Sequence, residues 1–568
     1  MMETKAYIVI LERGVDYTEF WQEMETAGTT LSYVPNRAVA IVDDREAMDR
    51  MCVYALSDNE AEVLQQDPRV KAVEIPFEKL NDWVIVSTAT QDANFNKPST
   101  AAGTNKNWGL VRHNYATNVY GTSTSTALDY IYTLDGSNVD VIILDTGIQA
   151  NHPEWQDASG VSRFKNINWF TYTNTVGTQP TGFYTDVDGH GTACAGVAVG
   201  KTFGWAKNAN IYSITTYNNP GNEIDYSIAV QLIKKFHQQK PINPATGVKN
   251  PTIVNMSFTQ YWSGTTLDYT HNFITYRNVR YNTVSPSAIP GGDFPNYNYG
   301  LVFYPGQPLF GGGRLPRRNN QLDVPVQDLL DTGIVVVIAA ANDKQKIDVP
   351  GGVDWLNSIN ILTRPPSNTI PSTYYYMQGS SPYDSDAVIV GAIDSTPANA
   401  STDQKAIFSR AGPGVDIFAA GANVMTSLSN TSINKTIAPY NNTDPVFKQT
   451  LINGTSFAAP QIVGMSALYL QANPTATPAQ VKSWLITNSV PSALFNTGLT
   501  NDYSNQRSQW GGTAGVAFQA LQGIVKIKDN SGVWKNVKDI QYKNPTTGQW
   551  APIKAGFTKT ETGWKQIY

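Results

Sequence analysis

Three stretches of apolar residues stand out in the middle of the chain: Val139–Leu144, broken only by Asp140, then Ile334–Ala341 and Ala387–Ala392. A half-buried strand alternates apolar with polar residues, so unbroken runs of this length predict parallel strands covered on both faces. Two runs rich in small residues, from Gly191 to Ala198 and from Phe457 to Gln471, suit helices buried in a core. The amino-terminal stretch follows another rhythm. Ala6–Leu11, Ala38–Val42 and Val70–Ile75 predict strands, and Tyr17–Ala27 predicts a helix. Ser57-Asp58-Asn59-Glu60 forms a capping box that opens a second helix, ending near Asp67-Pro68. This order predicts a separate small α+β domain over residues 1–80.

The stretch from Ser87 to Asn107 is polar and lacks periodicity, so residues 81–104 read as a linker open to cleavage. A large domain is expected over 105–510, interrupted near 262–320 and 344–382 by loop-rich insertions. The first insertion contains Gly311-Gly312-Gly313-Arg314-Leu315-Pro316-Arg317-Arg318, whose basic residues suit a solvated loop, a processing site or an anionic contact. Near the end, Trp534, Trp550 and Trp564 recur at nearly even intervals, each beside a glycine and short alternating segments. Such a beat predicts a small all-β module of hairpins over 521–568 with stacked Trp rings.

With 568 residues and 41% hydrophobic content, the chain has material for several ordinary cores. No run approaches the roughly 18 apolar residues of a membrane span. The opening, Met1 to Glu12, does not read as a secretory signal, because a charge closes its apolar run at once. Two cysteines do not make a disulfide framework, and both points lead us to expect cytoplasmic synthesis. Charge is unevenly spread. Residues 1–80 hold 16 acidic and 8 basic side chains, whereas residues 521–568 hold 8 lysines against 3 acidic groups. The basic tail suggests an anionic partner, with a solvated basic face as the plainer account. The whole chain is acidic, at −5, and carries no nucleic-acid-binding motif.

Candidate chemistry lies at the ends of the apolar runs. Asp145 closes the first, in Asp145-Thr146-Gly147, where open α/β sheets place their sites. His190 opens the first small-residue run in His190-Gly191-Thr192, and Ser456 stands at the head of the second in Gly454-Thr455-Ser456-Phe457-Ala458-Ala459-Pro460. A serine hydroxyl becomes nucleophilic when an imidazole takes its proton, and that imidazole needs a carboxylate to fix its tautomer. The order Asp, His, Ser is that of subtilisin and not of chymotrypsin or α/β-hydrolases. Asn342 ends the run Ile334–Ala341, where its amide can donate to an oxyanion. Cys194, four residues after His190, falls on the same helical face and reads as a small core residue beneath it.

These boxes resemble the subtilase family, and the stretch His190–Ala209 looks like its proteinase K branch. The resemblance covers roughly residues 105–500. It implies a three-layer α/β fold around a parallel sheet, with Asp145 as the orienting carboxylate, His190 as the base, Ser456 as the nucleophile and Asn342 in the oxyanion hole. It also implies substrate binding along Ser257, Phe258 and Thr259 and at Ala341. There this chain departs from the usual family pattern: Thr259 and Gln260 stand for two glycines, and Ala341 for a third. The replaced glycines point to narrow specificity. The N-terminal domain is similar to subtilase inhibitory propeptides, which implies an intramolecular inhibitor removed by self-cleavage within residues 78–104, the alternative being a permanent inhibitor that stays attached. The Trp-Lys repeats look like the ends of phage structural proteins, which implies a virion partner. Glu154 stands where some relatives place a calcium ligand, but without the accompanying loop neither metal nor cofactor is expected, and Glu154 and Asp188 read as structural. The function expected is a self-processing serine endopeptidase acting on protein or peptide. The alternative is a structural or attachment protein on the same scaffold, with only vestigial or self-directed activity.

Overall fold

The computed structural model describes residues 4–26, 33–43, 50–74, 83–84, 107–121, 130, 132, 134–263, 269–282, 314–363, 372–395, 403–432, 438–440 and 444–490, and seven short strands between 515 and 566. Its centre is an all-parallel sheet of seven strands. From one edge these are Gly515–Val516, Ile417–Ala420, Val388–Ile393, Val335–Ala339, Thr252–Met256, Asp140–Asp145 and Asn210–Thr215. Within Asp140–Asp145 every residue is buried, with Val141 and Ile143 in one core and Ile142 and Leu144 in the other. The unbroken apolar run therefore reflects a sheet covered on both sides, each large aliphatic side chain contributing roughly 1.5–3 kcal/mol on burial.

One layer consists of the helices His190–Val199 and Thr455–Ala472, which pack on each other and on the sheet. The opposite layer contains Tyr226–Gln239 and Asn320–Asp331. The chain steps from Asp140–Asp145 outward to Asn210–Thr215 and then returns to Thr252–Met256 on the other side. That reversal opens a crevice at the carboxyl ends of the strands.

The segments read as irregular insertions carry regular structure. Tyr269–Tyr276 pairs antiparallel with Ser358–Thr363, and Val279–Tyr281 and Ser372–Tyr375 extend the pair into a four-stranded sheet. Strands from the two insertions complete each other, which a search for local periodicity in either cannot reveal. Gly311–Gly313 lie outside the described residues.

At the amino end, Lys5–Leu11, Ile41–Asp43, Met51–Leu56 and Val70–Glu74 form a four-stranded antiparallel sheet carrying the helices Tyr17–Glu25 and Asp58–Leu64. The strand Met51–Leu56 was not expected from the sequence pattern. The Ser57/Glu60 capping box is formed. One sheet face packs under the module's own helices through Val9, Leu11, Phe20 and Tyr54. On the other face Ile8, Ile10, Met51, Val53 and Ala72 meet Val324 of the helix Asn320–Asp331. Near the carboxyl end, three hairpins place Trp534 across from Lys528, Trp550 across from Lys543, and Trp564 across from Lys559. The side chains of this tail, including the expected Trp stacking, lie outside the described residues, as does the expected linker apart from Trp83–Val84. Among the described residues no helix is long and apolar enough to cross a membrane.

Candidate active site

Asp145 is the last residue of its strand and His190 the first of its helix, and the two meet in the crevice. His190 Nδ1 lies 2.7 Å from Asp145 Oδ1, and both side chains are fully buried. The glycine after the histidine permits this approach: a Cβ on Gly191 would stand 2.1 Å from the Gly147 carbonyl. A second carboxylate, absent from the sequence reading, locks the two motifs together. Asp186 accepts from Thr146 Oγ1 (2.8 Å) and the Gly189 N–H (2.7 Å), and from the Thr192 N–H and hydroxyl (2.9 and 2.7 Å). The threonines of Asp145-Thr146-Gly147 and His190-Gly191-Thr192 thus serve one buried anchor, whose carboxyl burial pushes upward in pKa against these four donors. Asp186 stands four residues before His190 and outside both motifs, and its tie to Thr146 spans 40 residues of chain.

Ser456 follows Gly454, whose φ of +150° lets the chain turn from the strand Asp444–Ile452 into the helix Thr455–Ala472. Its hydroxyl is fully buried and donates to the Ser257 carbonyl at 3.0 Å. His190 Nε2, the nitrogen left for the nucleophile, has no hydrogen-bond partner among the described residues. A turn of the Ser456 side chain from the Ser257 carbonyl toward His190 is needed before acylation. Burial acts to lower the His190 pKa, but the Asp145 carboxylate, with the Cys194 sulfur adding to it, outweighs burial and raises the pKa well above the ordinary value. The same charge favours the imidazolium that forms during acylation.

Asn342 Oδ1 accepts from the Thr455 N–H (2.8 Å) and hydroxyl (2.9 Å). With its carbonyl end so engaged, the amide end faces Gly454: a Cβ there would stand 3.4 Å from Nδ2. Asn342 Nδ2 and the Ser456 N–H at the head of a helix are suited to receive negative charge.

Of the expected substrate-binding residues, Ser257 is bonded to the serine helix through both its carbonyl and its hydroxyl, the latter donating to the Ser456 carbonyl at 3.0 Å. Phe258 turns into the core against Tyr217 and Tyr226. Thr259 and Gln260 are buried and begin the strand Thr259–Ser263. Their side chains do not close the backbone edge, since Trp83–Val84 pairs antiparallel with Thr259 and Gln260. Ala341 is fully buried at φ +92° beside Tyr261.

Cys194 Sγ lies 3.8 Å from His190 Nδ1 and 3.3 Å from the Ser456 carbonyl. Burial pushes its thiol upward in pKa. Asp145, His190 and Cys194 offer ligand atoms within 4.8 Å of one another, but an ion there would displace the Asp145–His190 hydrogen bond. Glu154 is engaged by protein donors: Oε2 accepts from the Thr202 and Phe203 N–H groups, and Oε1 from the Tyr440 hydroxyl. Asp188 accepts from the His190 N–H.

Residues 136–520, more than half of the chain, match the model of the Subtilase family. The chain belongs to the subtilases. This subtilase is 26% identical over 443 residues to an extracellular serine proteinase of Thermus sp. (strain Rt41A), a match covering 78% of this chain and 71% of that protein. It is 25% identical to the subtilisin-like serine protease Pen c 2 of Penicillium citrinum, covering 74% and 67% of the two chains. Cerevisin of Saccharomyces cerevisiae is 24% identical, covering 68% of this chain but 44% of that protein. Among solved structures, a cold adapted subtilisin-like serine proteinase is similar with a TM-score of 0.40 at 20% identity, covering 72% of this chain and 97% of that one. Fervidolysin from Fervidobacterium pennivorans is similar with a TM-score of 0.47 at 13% identity, covering 92% and 62%. Family membership makes the protein a subtilisin-like serine endopeptidase.

Proposed function

We propose that this subtilase is made as a self-inhibited zymogen, cuts its own chain beyond the N-terminal module, and then acts on a narrow range of peptide or protein substrates. The reading is carried by one observation: Trp83–Val84 lies antiparallel on Thr259–Gln260, next to a nucleophile with no solvent exposure. A chain added to this edge has the posture of a bound substrate. The pairs Trp83↔Gln260 and Val84↔Thr259 imply that a chain kept in this register meets Ser257 with Val86. The Ser257 carbonyl is the group that holds the Ser456 hydroxyl. Val86–Ser87 is therefore our choice of processing bond, although both residues lie outside the described ones.

In the proposed reaction, Ser456 Oγ turns from the Ser257 carbonyl to His190 Nε2, transfers its proton there and attacks the Val86 carbonyl carbon. Asp145 holds the Nδ1–H and steadies the imidazolium. The oxyanion accepts from Asn342 Nδ2 and the Ser456 N–H. Collapse breaks the Val86–Ser87 bond, the departing amine takes the proton from His190, and a water activated by His190 then hydrolyses the acyl-enzyme. The N-terminal module, docked on Val324, is our candidate for the inhibitory prodomain. The buried side chains of Thr259, Gln260 and Ala341 in place of family glycines support narrow specificity, and His190–Ala209 supports placement in the proteinase K branch. For the basic tail with its repeated Trp–Lys cross-strand pairs we propose attachment to an anionic surface, a virion among them, after cytoplasmic synthesis.

Intact mass of the purified chain beside Ser456→Ala tests the central claim. The wild type is expected to lose an N-terminal fragment ending at Val86, of about 9–10 kDa by residue count, while Ser456→Ala stays whole. Cleavage of both chains at the same bond would overturn the serine mechanism.

A further inference from the structure

An oxyanion-hole role for Asn342 requires its side chain to keep its direction while the backbone beside it is bent against preference. Ala341, immediately before it, has a φ of +92°, a region L side chains rarely adopt. The Ala341 N–H donates to Thr455 Oγ1 at 3.1 Å, and the two residues flanking Asn342 are both held by one arginine. The Arg410 backbone N–H donates to the Ala341 carbonyl at 3.1 Å. Its guanidinium grips the Asp343 carboxylate by two parallel bonds, Nε to Oδ1 at 2.5 Å and Nη2 to Oδ2 at 2.6 Å. Nη2 also donates to Ser380 Oγ at 2.9 Å, and the neighbouring Ser381 carbonyl accepts from the Gln260 N–H in the substrate strand. The guanidinium carbon lies 5.5 Å from the ring of Tyr261, which packs on Ala341. Arg410 is 1% exposed and Asp343 5%.

A buried ion pair is a weak source of stability, because the desolvation of two charges offsets most of their attraction. What a forked guanidinium–carboxylate pair supplies is a fixed direction. We infer that Arg410 is a positioning residue for the oxyanion hole: through Ala341 and Asp343 it fixes the direction in which Asn342 presents its amide, without touching substrate. The inference rests on the proposed role of Asn342. A donor to a developing charge works only when held in place in advance, and a misplacement of about 1 Å can cost on the order of a hundredfold in rate.

Lysine at 410 keeps the charge and loses the fork. The test compares hydrolysis of one peptide substrate by four processed enzymes: wild type, Arg410→Lys, Asn342→Ala and the double variant. Arg410→Lys is expected to lower kcat roughly tenfold with KM within about twofold, an intermediate loss for a displaced but not deleted donor. In the Asn342→Ala background the same change is expected to cost less than about twofold, because the group it positions is gone. If Arg410→Lys slows both backgrounds equally, or raises KM while kcat holds, Arg410 does not act through Asn342 and the inference is overturned by itself. Wild-type kcat in Asn342→Ala would overturn the oxyanion reading and the inference with it. Should Arg410→Lys fail to fold, Asp343→Asn opens the same fork from the other side and enters the same comparison with the same expected outcomes.

Discussion

The methyl group of Ala341 affects both the stability and the reach of this site. At φ +92° an alanine costs about 1–2 kcal/mol relative to a conformation it prefers, and glycine does not carry that penalty. Glycine in turn costs about 0.4–1 kcal/mol through the freedom it adds to the unfolded chain. Relief of strain is the larger effect. In a Ser456→Ala chain, where self-cleavage cannot blur the transition, Ala341→Gly is expected to raise stability by about 0.5–1 kcal/mol, read from denaturant unfolding. In the active chain it is expected to widen the range of peptides cleaved, since the methyl stands beside the substrate strand at Tyr261. A loss of stability would mean that packing of the methyl on Tyr261 outweighs the strain. Asp145, His190, Ser456 and Asn342 were all legible at this scale, because each stands in a motif whose neighbours are dictated by close approach. Asp186 and Arg410 were not, because each stands outside the motifs and ties to a residue far along the chain, Thr146 for Asp186 and Asp343 for Arg410.

Helix Tyr226–Gln239 shows how an element's surroundings can reverse its intrinsic preference. A histidine in the last turn of a helix is favoured in its charged form by the helix dipole. At His237 burial acts against that charge, Lys240 and Lys249 add to it, and the pKa falls to about 4. The ring is held by a 2.8 Å contact between Nδ1 and Thr252 Oγ1 of the adjacent strand. The folded chain therefore binds fewer protons here than the unfolded chain, whose histidine titrates near about 6.5. The stabilising contribution is complete above that value and is lost as pH falls from about 6.5 toward 4, with a slope of at most about 1.4 kcal/mol per pH unit for one group. His237→Gln in the Ser456→Ala chain is expected to flatten the fall in stability over that window, as measured by melts at successive pH values. An unchanged slope would place the acid sensitivity elsewhere. Three strands of the parallel sheet, Asp140–Asp145, Val335–Ala339 and Val388–Ile393, were legible because burial on both faces leaves a nearly unbroken apolar run, as in Ile334–Ala341, whereas Asn210–Thr215, Thr252–Met256, Ile417–Ala420 and Gly515–Val516 were not singled out. Tyr269–Tyr276 and Ser358–Thr363 were not legible either. Helix Asn320–Asp331 and strand Val335–Ala339 lie between these partners along the chain, and neither partner carries an unbroken apolar run.

At the scale of the whole molecule, the N-terminal module and the catalytic core share a surface on which an exposed ion pair and an apolar cluster differ in weight. Arg13 pairs with Asp331 at its margin, and both side chains are about half exposed. Solvated pairs of this kind contribute about 0–1 kcal/mol. Val324 is 1% exposed and sits among Ile8, Ile10, Met51, Val53 and Ala72, so the complex buries it from both sides. Trimming Val324 to alanine removes two carbons, about 1.6 kcal/mol of transfer free energy at roughly 0.8 per carbon, before any cavity is counted. A difference of about 1.4 kcal/mol is tenfold in affinity, so Val324→Ala is expected to weaken retention of the cleaved module by tenfold or more. Arg13→Ala should weaken it less than about fivefold, and less still at high salt. Both effects can be read as the onset of peptide hydrolysis after self-processing, alongside gel filtration of the two fragments. Wild-type fragments are expected to travel together with low activity, and those of Val324→Ala to separate and become active sooner. If Arg13→Ala frees the module as readily as Val324→Ala, docking is governed by charge, and the apolar face formed by Ile8, Ile10 and Met51 is not what keeps the site closed.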